Sequence, residues 1–96
     1  MLMLITYDVS TINSVGRKRL RRVAKACLDY GQRVQNSVFE CELDPAQWAM
    51  LRARLISEIK PDEDSLRFYR LGADGKRRVE HVGVKTATDL DGALLF

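Results

Sequence analysis

The chain opens with MLMLITYDV, where Leu, Met, Ile, Tyr and Val dominate residues 2–9, the pattern of a buried central strand. A polar loop, STIN, follows, and Ser14 is the predicted N-cap of a helix running to about Tyr30. Within that helix Leu20, Val23, Ala24, Cys27 and Leu28 fall on one apolar stripe, and Gly31 suits the left-handed position that ends many helices. Residues 33–43, RVQNSVFECEL, alternate apolar and polar positions as a strand does, with a break expected near Asn36. They form two strands or one kinked strand.

Asp44-Pro45 starts a second helix, with aspartate as N-cap and proline at the first helical position. Its buried stripe is Trp48, Leu51, Leu55 and Ile59, and Lys60-Pro61 ends it, because proline disfavours helical geometry in the residue before it. A strand is predicted at roughly 65–71, a turn at GADG, and another strand at roughly 77–83. The order β-α-β-β-α-β plus an extra C-terminal strand is the α+β, ferredoxin-like pattern: an antiparallel sheet with both helices on one face. The open face then needs a cover, and a second copy packed sheet to sheet in a two-fold homodimer provides one. Residues 1–84 form the domain; the tail 85–96, ending in ALLF, is expected to add to a sheet edge, on the partner subunit or elsewhere.

Ninety-six residues, 46% of them hydrophobic, allow one small domain with a thin core. No apolar run approaches the roughly 18 residues of a membrane span. The N-terminal stretch lacks a basic leader and a small-residue cleavage site, which makes the cytoplasm the default location. Cys27 and Cys41 form no CxxC and no Cys/His cluster, so they read as small core residues rather than zinc ligands, with a disulfide the less favoured alternative. The net charge of +3 is mild, but Arg17, Lys18, Arg19, Arg21, Arg22 and Lys25 crowd nine residues with no acid before Asp29. A solvated helix face usually mixes signs; this block suits a phosphate backbone, with Lys76, Arg77 and Arg78 extending the track.

Three stretches, YDV closing the first strand, RVQNSVFEC after the first helix, and DSLRFYRLG in the fourth strand, closely resemble the CRISPR-associated small nuclease family, Cas two. The resemblance covers nearly the whole chain, and the tail ending in LLF is similar to the subtype I-C branch. It implies a ferredoxin-like homodimer that is a metal-dependent endonuclease on RNA or double-stranded DNA. It also implies a scaffold in spacer acquisition that bridges the CRISPR integrase and holds protospacer DNA. By the same resemblance Asp8 is the metal-binding aspartate and Tyr7 the tyrosine beside it. Arg33, Ser37 and Phe39 match the family's R-[VI]-Q-x-S-V-F motif, completing the candidate catalytic set, and Arg19 and Arg22 stand nearest to its basic helix residues.

The residues themselves bear on that chemistry. Phosphodiester hydrolysis with Mg²⁺, or Mn²⁺, needs charge neutralisation and an activated water, and Mg²⁺ is held by one or two carboxylates, waters and the substrate. A lone Asp8 is a poor site, whereas Asp8 facing Asp8 of a second copy across a two-fold axis is a reasonable one. The alternative is that Asp8 only caps the turn after its strand. His81 reads as a strand residue rather than a catalyst. Phe39 and Tyr69 are stacking candidates, with core packing the stronger alternative. Ser37 could place a water or phosphate but has no histidine base to make it a nucleophile. The competing functions are a non-catalytic nucleic-acid-binding dimer, serving as an integrase scaffold, and a small RNA-binding or regulatory dimer.

Overall fold

The computed structural model describes residues 1–8, 14–72 and 77–84. Val9 with the STIN loop, residues 73–76 from the GADG turn to Lys76, and the tail 85–96 lie outside the described residues, as do the side chains of Ser14, Arg77 and Arg78. The elements are β1 (Leu2–Asp8), α1 (Ser14–Leu28), β2 (Gly31–Gln35), β3 (Val38–Glu42), α2 (Pro45–Glu58), β4 (Ser65–Leu71) and β5 (Arg77–Gly83). They build one antiparallel sheet in the order β2-β3-β1-β4-β5. The first four positions are the ferredoxin-like order, and β5 is the extra strand, on the β4 edge.

Strand alternation divides the sheet into two unlike faces. Met3, Ile5 and Tyr7 of β1, Phe39 and Cys41 of β3, and Leu66 and Phe68 of β4 are buried in one cluster with Val23, Ala26 and Cys27 of α1 and Leu51 and Leu55 of α2. Trp48 meets Phe68 edge to face at 4.7 Å, a contact worth about 1 kcal/mol beyond its buried area. The other face carries Leu2, Leu4, Thr6 and Asp8 of β1, aligned with Val38 and Glu40 of β3 and with Ser65, Arg67, Tyr69 and Leu71 of β4. Leu71 and Val79 are exposed there, and no described helix covers this face.

Local chemistry explains the boundaries. Asp44 accepts from the Gln47 amide at 2.7 Å while the Gln47 side chain accepts from the Asp44 amide at 3.0 Å, a reciprocal cap that starts α2. Asn36-Ser37 is a turn, so residues 33–43 are two strands, with a bulge between Arg33 and Gln35. Arg52 of α2 donates twice to Glu80 of β5 and ties the helix to the edge strand.

Three expectations change. Ser14 lies within α1 rather than before it. Leu28 is exposed; the buried stripe runs instead through Gly16, Arg19, Val23 and Ala26, beside Ala24 and Cys27. Gly31 is not left-handed, since among the described residues only Gly83 has positive φ. Glycine is required at 31 because a Cβ there would sit 2.1 Å from the Glu40 carbonyl oxygen, where β2 closes onto β3. Cys27 and Cys41 are both free and buried; burial pushes the Cys27 thiol up to about 12 and that of Cys41 to about 11. The Cys41 thiol donates to the Cys27 carbonyl at 3.6 Å, so the pair is core, not disulfide.

Candidate metal and nucleic-acid site

β1 ends on Asp8, and the period-two alternation sends Tyr7 into the core and Asp8 to the helix-free face. Asp8 is exposed, lies opposite Ser65 of β4, and its side chain makes no hydrogen bond or ion pair among the described residues. No three His, Cys, Asp or Glu side chains among the described residues form a metal-holding group. Asp8 supplies one hard oxygen donor of the kind Mg²⁺ takes. The residues therefore fit such an ion only if a second chain adds its own Asp8.

Beneath Asp8 the structure holds a polar network in an otherwise apolar core. The Asp64 carboxylate is fully buried and accepts from the Tyr7 hydroxyl at 2.8 Å, from Arg19 Nε at 2.8 Å and Nη2 at 3.1 Å, and from the Lys60 amide at 2.9 Å. Burial raises the Asp64 carboxyl, but Arg19, the Lys60 amide and Tyr7 together hold it below the usual carboxylate range. Burial, then the bond to Asp64, push the Tyr7 hydroxyl well above its ordinary value, so it stays protonated and donates. The bond to Asp64 likewise raises the Arg19 guanidinium.

An Asp64→Ala variant is expected to lose about 3 kcal/mol of stability in urea denaturation, because it leaves the buried Arg19 with only its longer, part-exposed contact to Glu63 at 3.5 Å. The pH dependence follows in sign. A carboxyl whose value is lowered on folding contributes stability above its unfolded value of about 4, and that contribution disappears as pH falls through the folded value. Wild type should therefore lose stability more steeply below about pH 4 than Asp64→Ala does.

The other candidates fall at different places. Arg19 is only 7% exposed and belongs to the Asp64 network, so it leaves the exposed basic row. Arg17, Lys18, Arg21, Arg22 and Lys25 are exposed on α1, and Arg22 pairs with Glu58 of α2 at 3.2 Å. Tyr7 is buried, with its hydroxyl occupied, so it does not reach the exposed face. Ser37 comes to the site by its backbone, accepting from the Tyr7 amide at 2.9 Å. Phe39 is fully buried, and the Arg33 guanidinium stacks 5.3 Å from its ring, lower in the sheet, opposite Ile5. Tyr69 lies on the helix-free face, 8% exposed.

His81 accepts at Nδ1 from Arg67 Nε at 3.1 Å, and its Nε2 faces the Gly83 and Val84 carbonyls at 3.2 and 2.9 Å. Both ring nitrogens are thus engaged within the sheet, Nδ1 with Arg67 and Nε2 with the two carbonyls. The sequence reading missed Asp64. Its signal was Arg19 itself, which stands four residues before Val23 and seven before Ala26, on the buried stripe, and so needs a buried anion.

Known proteins resemble this chain in sequence and in fold. The model of the family described as CRISPR associated protein Cas2 matches residues 1–79. A Rhodospirillum rubrum protein named CRISPR-associated endoribonuclease Cas2 3 is 63% identical over 99% of this chain and 100% of its own length. A Halalkalibacterium halodurans protein named CRISPR-associated endonuclease Cas2 is 57% identical over the full length of both. The crystal structure of Streptococcus pyogenes Cas2 at pH 6.5 superposes with a TM-score of 0.72 and 58% identity, covering 75% of this chain and 87% of that one. A hypothetical protein from Thermus thermophilus gives 0.65 at 33% identity, covering 75% and 82%. Family match, sequence identity and fold agree: the chain belongs to the CRISPR-associated Cas2 family.

Proposed function

We propose that the chain acts as a two-fold dimer in which Asp8 and Asp8 of the partner subunit hold Mg²⁺, or Mn²⁺, for endonucleolytic cleavage of RNA or double-stranded DNA. The observation that carries this is the position of Asp8, exposed at the end of β1 on the sheet face that no described helix covers. Leu2, Leu4, Val38, Leu71 and Val79 give that face the apolar surface a second copy would bury. A two-fold axis near the strand end turns one carboxylate into two. When bound, the metal supplies charge neutralisation on the phosphate and an activated water. The chain's own part is to place the carboxylates and, with the exposed basic row of α1, to hold the nucleic-acid backbone. The names of the two relatives, one an endoribonuclease and one an endonuclease, support phosphodiester cleavage.

In CRISPR adaptation the same dimer would bridge the integrase and carry protospacer DNA on its α1 faces. A second reading, in which this scaffold role is the whole function, is favoured by the sparse catalytic equipment: beside Asp8, His81 has both nitrogens engaged and Tyr7 is buried. Mn²⁺ titration of the dimer, sized by sedimentation, tests the site. One Mn²⁺ per two chains, lost in Asp8→Ala, is the expected result. A monomer, or Mn²⁺ binding unaffected by Asp8→Ala, refutes the paired site.

A further inference from the structure

We infer that Asp64 is a positioning residue for Asp8, acting through Tyr7, and that its bond to Arg19 locks the Asp8 strand end to the basic helix. The inference rests on reading Asp8 as the metal-holding carboxylate.

Asp8 has no side-chain partner among the described residues, so the backbone at the end of β1 decides where its carboxylate stands. That backbone is anchored from the opposite side of the sheet. Tyr7, one residue earlier, points inward and its hydroxyl donates to Asp64. Asp64 directly precedes Ser65, the residue paired with Asp8 across the β1–β4 ladder. The main chain of Asp64 is engaged as well: its amide donates to the Lys60 carbonyl at 2.8 Å and its carbonyl accepts from the Val84 amide at 2.9 Å. Gly83, opposite Ser65 on the other side, has φ of 102°, and a Cβ there would stand 2.0 Å from the Asp64 carbonyl oxygen. The ends of β1, β4 and β5 therefore converge on one residue.

Arg19 brings in the fourth element. It is the inward member of the basic block, and its fork on Asp64 fixes the rotation of α1 about its axis. The exposed Lys18, Arg21 and Arg22 are thereby held at a set orientation relative to Asp8. A phosphate backbone resting on α1 and a carboxylate at the strand end can serve one substrate only if that spacing is rigid. Mg²⁺ and Mn²⁺ sites tolerate little misplacement of a ligand, and loss of groups that orient ligands typically weakens metal binding about 10–100-fold.

The test is Mn²⁺ affinity, read from the electron paramagnetic resonance of free Mn²⁺, on full-length chains shown folded by circular dichroism. Asp64→Asn keeps the volume and removes the charge; Tyr7→Phe removes only the hydroxyl. Leu51→Ala, a truncation in the core between α2 and the sheet that touches none of the Asp64 hydrogen bonds, is the control for stability loss alone. Asp64→Asn is expected to weaken Mn²⁺ about 10-fold or more, Tyr7→Phe by a smaller factor, and Leu51→Ala not at all. Unchanged Mn²⁺ affinity in folded Asp64→Asn overturns the inference; so does equal weakening in Leu51→Ala. Should Asp64→Asn not fold, Tyr7→Phe decides, and wild-type affinity in that variant overturns the inference. Wild type that binds no Mn²⁺, or binds it equally after Asp8→Ala, instead overturns the reading of Asp8 on which this rests.

Discussion

Asp8→Ala is expected to lower metal-dependent cleavage about 100-fold or more, since charge stabilisation by such an ion is worth several kcal/mol and each 1.4 kcal/mol is tenfold in rate. The fold should survive the change, because the Asp8 side chain is exposed and its strand is held by Tyr7, Ser37 and Ser65. The measurement is cleavage of labelled duplex DNA and single-stranded RNA by wild type and Asp8→Ala, with Mg²⁺, Mn²⁺ or EDTA. Cutting that needs metal and disappears in Asp8→Ala establishes the paired carboxylates and identifies the substrate. Cutting equal in both proteins comes from elsewhere or from a contaminant. The DNA-bridging scaffold then becomes the working account, and spacer acquisition should persist in Asp8→Ala cells.

The second large effect concerns α1. A triple variant, Lys18→Gln, Arg21→Gln and Lys25→Gln, should weaken duplex binding about 100-fold at low salt, at about 1 kcal/mol for each exposed charge pairing with phosphate. The slope of log K against log salt should shrink by about 3, because a phosphate that no longer meets a cationic side chain keeps its counterion. The weakening should be the same for unrelated DNA sequences, since phosphate pairing carries no base information. Folding should be unaffected, because these three side chains are exposed. Arg19→Gln provides the contrast. It lies in the same run of charges, yet it removes the buried partner of Asp64 and should lower thermal stability. Fluorescence anisotropy across a salt series, beside thermal melts, separates the two classes. An unchanged salt slope in the triple variant places the nucleic acid on another surface.

Local chemistry wrote most of the architecture into the chain. Asp44-Pro45 and Gln47 start α2, Asn36-Ser37 turns the chain between β2 and β3, and residues 65–71 and 77–83 are the strands expected there. Such signals act within a few residues and need no knowledge of what packs on them. The helix-free face was legible from the β-α-β-β-α-β order, which puts both helices on one side of the sheet. Gly31 shows the limit of that reasoning. A glycine after a helix looks like a left-handed cap, whereas its cause is a carbonyl on β3, a neighbour only after folding.

The site divides along the same line. The sequence by itself determined that an aspartate ends an apolar strand, that a dense basic run occupies the first helix, and that YDV and RVQNSVFEC carry a family resemblance. Only the tertiary structure decided which charges are available. Arg19 and its neighbours are chemically alike along the chain, but one is buried against a carboxylate 45 residues away while the others are exposed on α1, Arg22 pairing there with Glu58. Tyr7 and Asp8 are adjacent in sequence and lie on opposite sides of the sheet. The physical reason is that desolvation and long-range pairing set the role of a charged or hydroxyl-bearing side chain, and both depend on residues brought close only by the fold.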